Sequence, residues 1–256
     1  MIGAIAGDVI GSVYEAHPIK TKRFPLFDER SRFTDDTVLT IAIAEAILND
    51  GSYAETLKAY TRRYPDAGFG GHFWRWAHSA KTVPYGSWGN GSAMRVSPIG
   101  HAFETDDEVL AQAQRSAEVT HNHPEGIKGA QATALAVHLA RRGRAKDELR
   151  MELQERFGYD LNRTVEAIRP SYRFDVSCQG SVPEALISFF DSINFVDAVR
   201  NAVSLGGDSD TLACIAGAVA EAFYGGVPPA IEKQARNRLP PEFLAVIDAF
   251  DEHCGI

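Results

Sequence analysis

Residues 206–226 read Gly206-Gly207-Asp208-Ser209-Asp210-Thr211-Leu212-Ala213-Cys214-Ile215-Ala216-Gly217-Ala218-Val219-Ala220-Glu221-Ala222-Phe223-Tyr224-Gly225-Gly226. From Leu212 to Tyr224 this is a strongly apolar helix, stopped by the Gly225-Gly226 pair. Its head is the opposite in character: two carboxylates and two hydroxyls crowd into four positions behind two glycines. A second acidic knot, Thr34-Asp35-Asp36-Thr37, lies far upstream and also opens an apolar run, through Leu48 to the stop at Asn49-Asp50-Gly51. Residues that open a helix in this way serve as caps. The alternative is that two such knots, brought together, hold metal. Asp208 and Asp210 are two apart and would face different ways on a regular helix. On a turn ahead of the helix, freed by Gly206 and Gly207, they converge. Hard oxygen ligands suit Mg²⁺ or Mn²⁺. A helix N-terminus repels a bare cation, so several carboxylates are needed to reverse the local sign. Two facing starts supply enough for a two-metal cluster.

Helical periodicity continues in both directions. Ile2, Ile5, Ala6, Val9, Ile10 and Val13 form one buried face, with Gly3, Gly7 and Gly11 recurring every four residues where another helix can approach. Asp8 interrupts this face, either as a hydrogen-bonded polar residue or as a partner near the metal. Tyr14 to Phe33 reads as a long irregular loop with Glu15 at its start. Ser52 with Glu55, and Thr105 with Glu108, resemble capping boxes. A long helix spans Glu125 to Arg142. Shorter ones follow at Asp147 to Phe157 and Asn162 to Ile168, then from Ser181-Pro183-Glu184 and from Asn194. Two last helices begin at Pro228 and Pro241. Alternating strand patterns are almost absent, and no repeat or linker is evident. The expectation is one all-α domain over residues 1–256.

Composition bounds the function. The 256 residues are 45% hydrophobic and 23% charged, and no apolar run reaches bilayer length. The net charge of −8 weighs against general nucleic-acid or anionic-membrane binding. Three cysteines without metal-ligand spacing are expected to be free thiols in a reducing cytosol. Two glycine clusters free backbone amides for an anion: Gly68-Phe69-Gly70-Gly71 and Gly86-Ser87-Trp88-Gly89-Asn90-Gly91. The second neither follows a strand nor carries a Walker lysine, so no nucleotide fingerprint applies to it, and burial is the default expectation for Trp88. His121 and His123 flank Asn122 and resemble a zinc site only weakly.

Taken together, four segments resemble the ADP-ribosylglycohydrolase family, which includes the dinitrogenase-reductase-activating glycohydrolases. They are Gly7-Asp8 through Gly11 to Tyr14-Glu15, then Thr34-Asp35-Asp36-Thr37, then Gly89-Asn90-Gly91 through Met94-Arg95, then Gly207-Asp208-Ser209-Asp210-Thr211. They span nearly the whole chain in the family's order. The resemblance implies an all-α orthogonal bundle. It implies that Thr34, Asp35, Asp36, Asp208, Asp210 and Thr211 ligate two Mg²⁺ or Mn²⁺ ions. It implies Glu15 as the acidic catalytic residue over the metals, with Asp35 counted as catalytic too. Phe69, Gly70 and Gly71 match the diphosphate loop, and Gly86, Ser87, Trp88, Gly89 and Asn90 the ribose and phosphate loop. His121 matches a histidine beside the ligand. The implied reaction cleaves the bond from the anomeric carbon of the distal ribose of ADP-ribose, on an ADP-ribosylated protein or other molecule. A binding module that holds ADP-ribose without turnover is the alternative. Tyr14-Glu15-Ala16-His17 is similar to the branch acting on serine-linked ADP-ribose, whereas the compact length is that of short bacterial members. The attached group therefore stays open among arginine, serine, a nucleic-acid base and a small metabolite. A monomeric, cytoplasmic protein is expected.

Overall fold

The computed structural model describes residues 1–255. The chain runs through α1 (Ile2–Glu15), α2 (Asp35–Leu48), α3 (Tyr53–Arg63), α4 (Gly71–His78), α5 (Ser97–Ala102), α6 (Asp106–Glu118) and α7 (Pro124–Arg141). It continues through α8 (Lys146–Phe157), α9 (Val165–Ile168), α10 (Cys178–Phe190), α11 (Phe195–Ser204), α12 (Ser209–Tyr224), α13 (Pro229–Arg236) and α14 (Pro241–Cys254). Among the described residues there is no strand, only an isolated antiparallel bridge between Gly89 and Ser177. None of the described helices is long and apolar enough to cross a membrane.

The helix ends follow from side chains that satisfy otherwise unpaired backbone amides. Thr34 caps α2 by accepting from the Asp36 amide at 3.3 Å, and Asn194 caps α11 by accepting from Asp197 at 2.9 Å. Thr105 and Glu108 form the reciprocal box that opens α6. At Ser52 the hydroxyl accepts from Glu55, but the returning carboxylate bond is not made. Gly158 and Gly225 end α8 and α12 in the left-handed region, φ 67° and 76°, where a Cβ is unfavourable.

The structure departs from the sequence reading in five places, the smallest helix among them: α9 begins at Val165 behind a Thr164 cap, not at Asn162. α1 continues through Tyr14 to Glu15, so the long loop begins two residues later, at Ala16. α10 begins at Cys178 with Ser177 as its cap, and Pro183 lies inside the helix rather than at its start. α12 begins at Ser209, with Asp208 as the N-cap residue and Asp210 and Thr211 already in its first turn. Two helices were not legible at all. α5 is six residues long and α4 eight, too short for a period to declare itself.

α1 and α12 run antiparallel at the centre and pack on each other more extensively than any other pair. The glycine stripe makes this possible. A Cβ on Gly3 would stand 2.5 Å from the Gly217 carbonyl oxygen. Gly7 and Gly11 lie closer still to the backbone at Ala213 and Ser209. Ile5, Val9 and Ile10 of α1 and Leu212, Ile215 and Val219 of α12 are fully buried around this seam. Each such side chain contributes roughly 1.5–3 kcal/mol of burial free energy. α7, α10 and α11 also pack against α12. Because the central pair is antiparallel, the C-terminal end of α1 meets the N-terminal end of α12, which sets Glu15 beside the 208–211 turn.

Candidate metal centre and its cleft

Asp8 is wholly buried and brings the first acidic knot to the α1–α12 seam. Its carboxylate accepts from the Thr34 amide at 2.9 Å, the Thr34 hydroxyl at 2.7 Å, the Thr37 amide at 3.1 Å and the Thr37 hydroxyl. It thus caps α2 from a neighbouring helix. Asp8 is thus a hydrogen-bonded residue, and its carboxylate also stands beside those of Asp36 and Asp210. Across the seam, the Thr211 hydroxyl donates to Asp36 Oδ2 at 3.3 Å. The knots at 34–37 and 208–211 are in direct contact.

Carboxylate oxygens of Asp8, Asp36 and Asp210 lie within 4.8 Å of one another, and so do those of Glu15, Asp208 and Asp210. The two sets share Asp210. Thr34 and Thr211 border them through hydroxyls hydrogen-bonded to Asp8 and Asp36. Asp35 stands apart from both sets. It lines the cleft wall, and its oxygen would be 3.4 Å from a Cβ on Gly68.

Burial without counter-charge governs the electrostatics. Desolvation, then neighbouring carboxylates, raises Asp36 and Asp210 well above the ordinary carboxylate range. Asp35 is pushed up to about 8 by desolvation and by Asp8 and Asp208. Desolvation also raises Glu15, with Asp208 and Asp8 adding to it. Among the described residues none of these acids makes an ion pair with a lysine or arginine. Asp36 Oδ1 is buried with no hydrogen-bond partner, a costly state for a carboxylate oxygen. An oxygen-only donor set with an orphaned, buried member fits a hard divalent cation.

The cluster forms the floor of a cleft of about 450 Å³, a size suited to a small ligand. Of the expected ligand-binding residues, Gly70, Gly71, Ser87, Gly89, Asn90 and His121 line it. Asn90 ties its loop to the floor by donating to Asp208 Oδ2 at 2.7 Å. Its backbone amide donates to Val176 O at 2.7 Å. Phe69, Gly86 and Trp88 are not part of the lining. Phe69 stacks on Phe73 with centroids 5.7 Å apart. Gly86 turns at φ 69° and donates its amide to Asn122. Trp88, for which burial was expected, is 54% exposed and meets His123 edge-on. His123 caps α7 instead of pairing with His121 on a metal.

The sequence reading did not mark Arg32, His72, Tyr85, Phe174 or Val176, yet all line the cleft. Phe174 and Val176 arrive on the segment bridged to the Gly89 loop. Arg32 arrives on the loop after α1, which Arg200 holds through the Lys22 and Phe24 carbonyls and Arg238 through Ser31 and Asp28. No local pattern announces such contacts, because each depends on a partner distant in the chain, Gly89 for the 174–176 segment and Arg200 and Arg238 for the Arg32 loop.

Comparison with known proteins agrees with this geometry. The family model described as ADP-ribosylglycohydrolase matches residues 1–253. ADP-ribosylhydrolase ARH3 of Mus musculus is 28% identical, over 88% of this chain and 82% of that protein. ADP-ribosylarginine hydrolase Tri1 of Pseudomonas putida is 25% identical, over 92% of this chain and 73% of its own length. A solved structure described as an ADP-ribosylglycohydrolase-related protein complex superposes with a TM-score of 0.72 at 25% identity, covering 99% of this chain and 97% of the other. With the family model matched along residues 1–253, the chain belongs to the ADP-ribosylglycohydrolase family.

Proposed function

We propose that this protein is a metal-dependent hydrolase that cleaves the bond between the anomeric carbon of the distal ribose of ADP-ribose and a modified target. The observation that carries the reading is the orphaned Asp36 oxygen amid buried acids from two distant knots, at the floor of a ligand-sized cleft. The names of the relatives above, both ADP-ribose hydrolases, support it.

In this reading Asp36, Asp208 and Asp210 would hold two Mg²⁺ or Mn²⁺ ions, with Thr34, Thr211 and, from the cleft wall, Asp35 as the further members of the set. When bound, such ions draw charge from coordinated oxygens and bring the ionisation of water toward neutrality. The chain's own groups supply the rest. Glu15, at the end of α1, has its proton affinity raised and can hold or give up a proton above the floor. Asp35 is the second acidic group beside the reacting centre. Asn90 orients Asp208. The glycines at 70–71 and 89–91 let backbone amides approach phosphate and ribose oxygens without side-chain obstruction. Every group in this account comes from one chain, so a monomer suffices, and residues 1–255 act as one domain around the α1–α12 seam.

The test is a hydrolysis panel of arginine-, serine- and base-linked ADP-ribose, each with Mg²⁺, Mn²⁺ or chelator. Release of ADP-ribose from at least one substrate, dependent on the cation, is expected. Survival of every linkage, alongside tight ADP-ribose binding by calorimetry, would make the protein a binder rather than a hydrolase.

A further inference from the structure

Arg95 is fully buried and makes no ion pair among the described residues. Its Nη2 donates to Ser116 O at 2.6 Å and to Thr120 Oγ1 at 3.2 Å. Thr120 is buried as well, and its Oγ1 lies 2.7 Å from His121 Nδ1. A guanidinium can only donate, so Thr120 Oγ1 accepts from Arg95. The hydroxyl has one proton, and His121 is its remaining partner. Were Nδ1 protonated, it would donate to Thr120 and leave the hydroxyl proton buried and unpaired, at the full desolvation cost of that group. The hydroxyl proton therefore goes to Nδ1, and the ring proton sits on Nε2. Nε2 makes no hydrogen bond within the described protein. It faces the Gly89 and Gly91 positions, where a Cβ would stand 3.5 and 3.3 Å away. His121 itself lines the cleft.

We propose that Arg95 and Thr120 are positioning residues that lock His121 in its Nε2–H tautomer, so that it offers a neutral hydrogen-bond donor to an acceptor oxygen of the cleft's ligand. This rests on the reading of the cleft as an ADP-ribose site only for the identity of that ligand. Burial, and then the Arg95 charge, push His121's proton affinity well below the ordinary range, so the ring stays neutral at physiological pH. His121 is thereby a fixed donor and not a base or a cation. Thr120 is not part of the cleft's lining, and Arg95, which is, has Nη2 taken up by Ser116 and Thr120, so both act through His121.

The test uses the full chain labelled with ¹⁵N-histidine, with the His121 signals identified by their loss in His121→Gln. Long-range ¹H–¹⁵N spectra near pH 7 are expected to show an unprotonated Nδ1 and a protonated Nε2. Thr120→Val should abolish that pattern and weaken ADP-ribose binding about tenfold by calorimetry. Thr120→Ser, which keeps the hydroxyl, should restore both to within about twofold of the parent. A protonated Nδ1 in the parent protein overturns the proposal, and needs no variant that folds. So does a Thr120→Val protein that changes tautomer yet binds ADP-ribose as well as the parent. A parent protein with the expected tautomer but no affinity for ADP-ribose supports the lock while removing the substrate reading.

Discussion

At the scale of single residues, the site is a set of buried acids without counter-charge, in which burial and mutual repulsion raise Asp36 and Asp210 far above the ordinary carboxylate range. Asp210 belongs to both carboxylate sets. Asp210→Ala is expected to abolish Mn²⁺ binding in calorimetry and turnover with it, while circular dichroism stays helical; unchanged turnover would remove Asp210 from the site. Glu15→Gln should retain the cation but lose about 10²–10⁴ in kcat, and a rate within a few-fold of the parent would contradict its catalytic role. The pH dependence has a definite sign. Asp35 titrates at about 8 in the folded chain against an ordinary 3.8. A group raised on folding contributes its stability below the unfolded value and loses it as pH rises through the folded one. The Tm of chelator-treated protein should therefore fall between about pH 4 and about pH 8. Mg²⁺ should flatten the fall, and a flat profile without metal would mean that these acids are not mutually strained.

At the scale of helices, the glycine seam between α1 and α12 sets the site. Gly7→Ala forces a methyl into the Ala213 backbone, which has no side-chain freedom to yield. A loss of about 3 kcal/mol is expected in denaturant unfolding. The variant that still folds should also bind Mn²⁺ less tightly, because the 208–211 turn moves off Glu15. Gly51→Ala meets nothing closer than 3.7 Å and should stay within about 0.5 kcal/mol of the parent. Equal effects from the two would refute the close-approach argument. The seam was legible in the sequence because Gly3, Gly7 and Gly11 recur at the period of a helix. So were the starts of α2, α6 and α11, where Thr34, Thr105 and Asn194 cap with their own side chains. α4 and α5 were not legible, being too short for periodicity and lying among glycines and a proline that otherwise signal turns. α10 was misplaced because Pro183 suggests a first turn, whereas Ser177 had already supplied the cap.

At the scale of the whole molecule, residues far apart in the chain make one centre. The acidic knots declared themselves because carboxylates and hydroxyls at the head of apolar helices are conspicuous even without a fold. The cleft's walls did not, since Arg32 sits on a loop held by Arg200 and Arg238, and Phe174 on a segment bridged to the Gly89 loop. Cation binding should also appear as global stability. A divalent ion at about 100 times its Kd adds about 2.7 kcal/mol to unfolding, and an unmoved Tm at saturating Mn²⁺ would argue against a site in the native state. The most direct measurement is an anomalous-scattering map from crystals grown with Mn²⁺. Two peaks bounded by Asp36, Asp208 and Asp210, with Glu15 above them, are the result expected. A map with no peak between the 34–37 and 208–211 segments, or with manganese only elsewhere on the chain, would contradict the account.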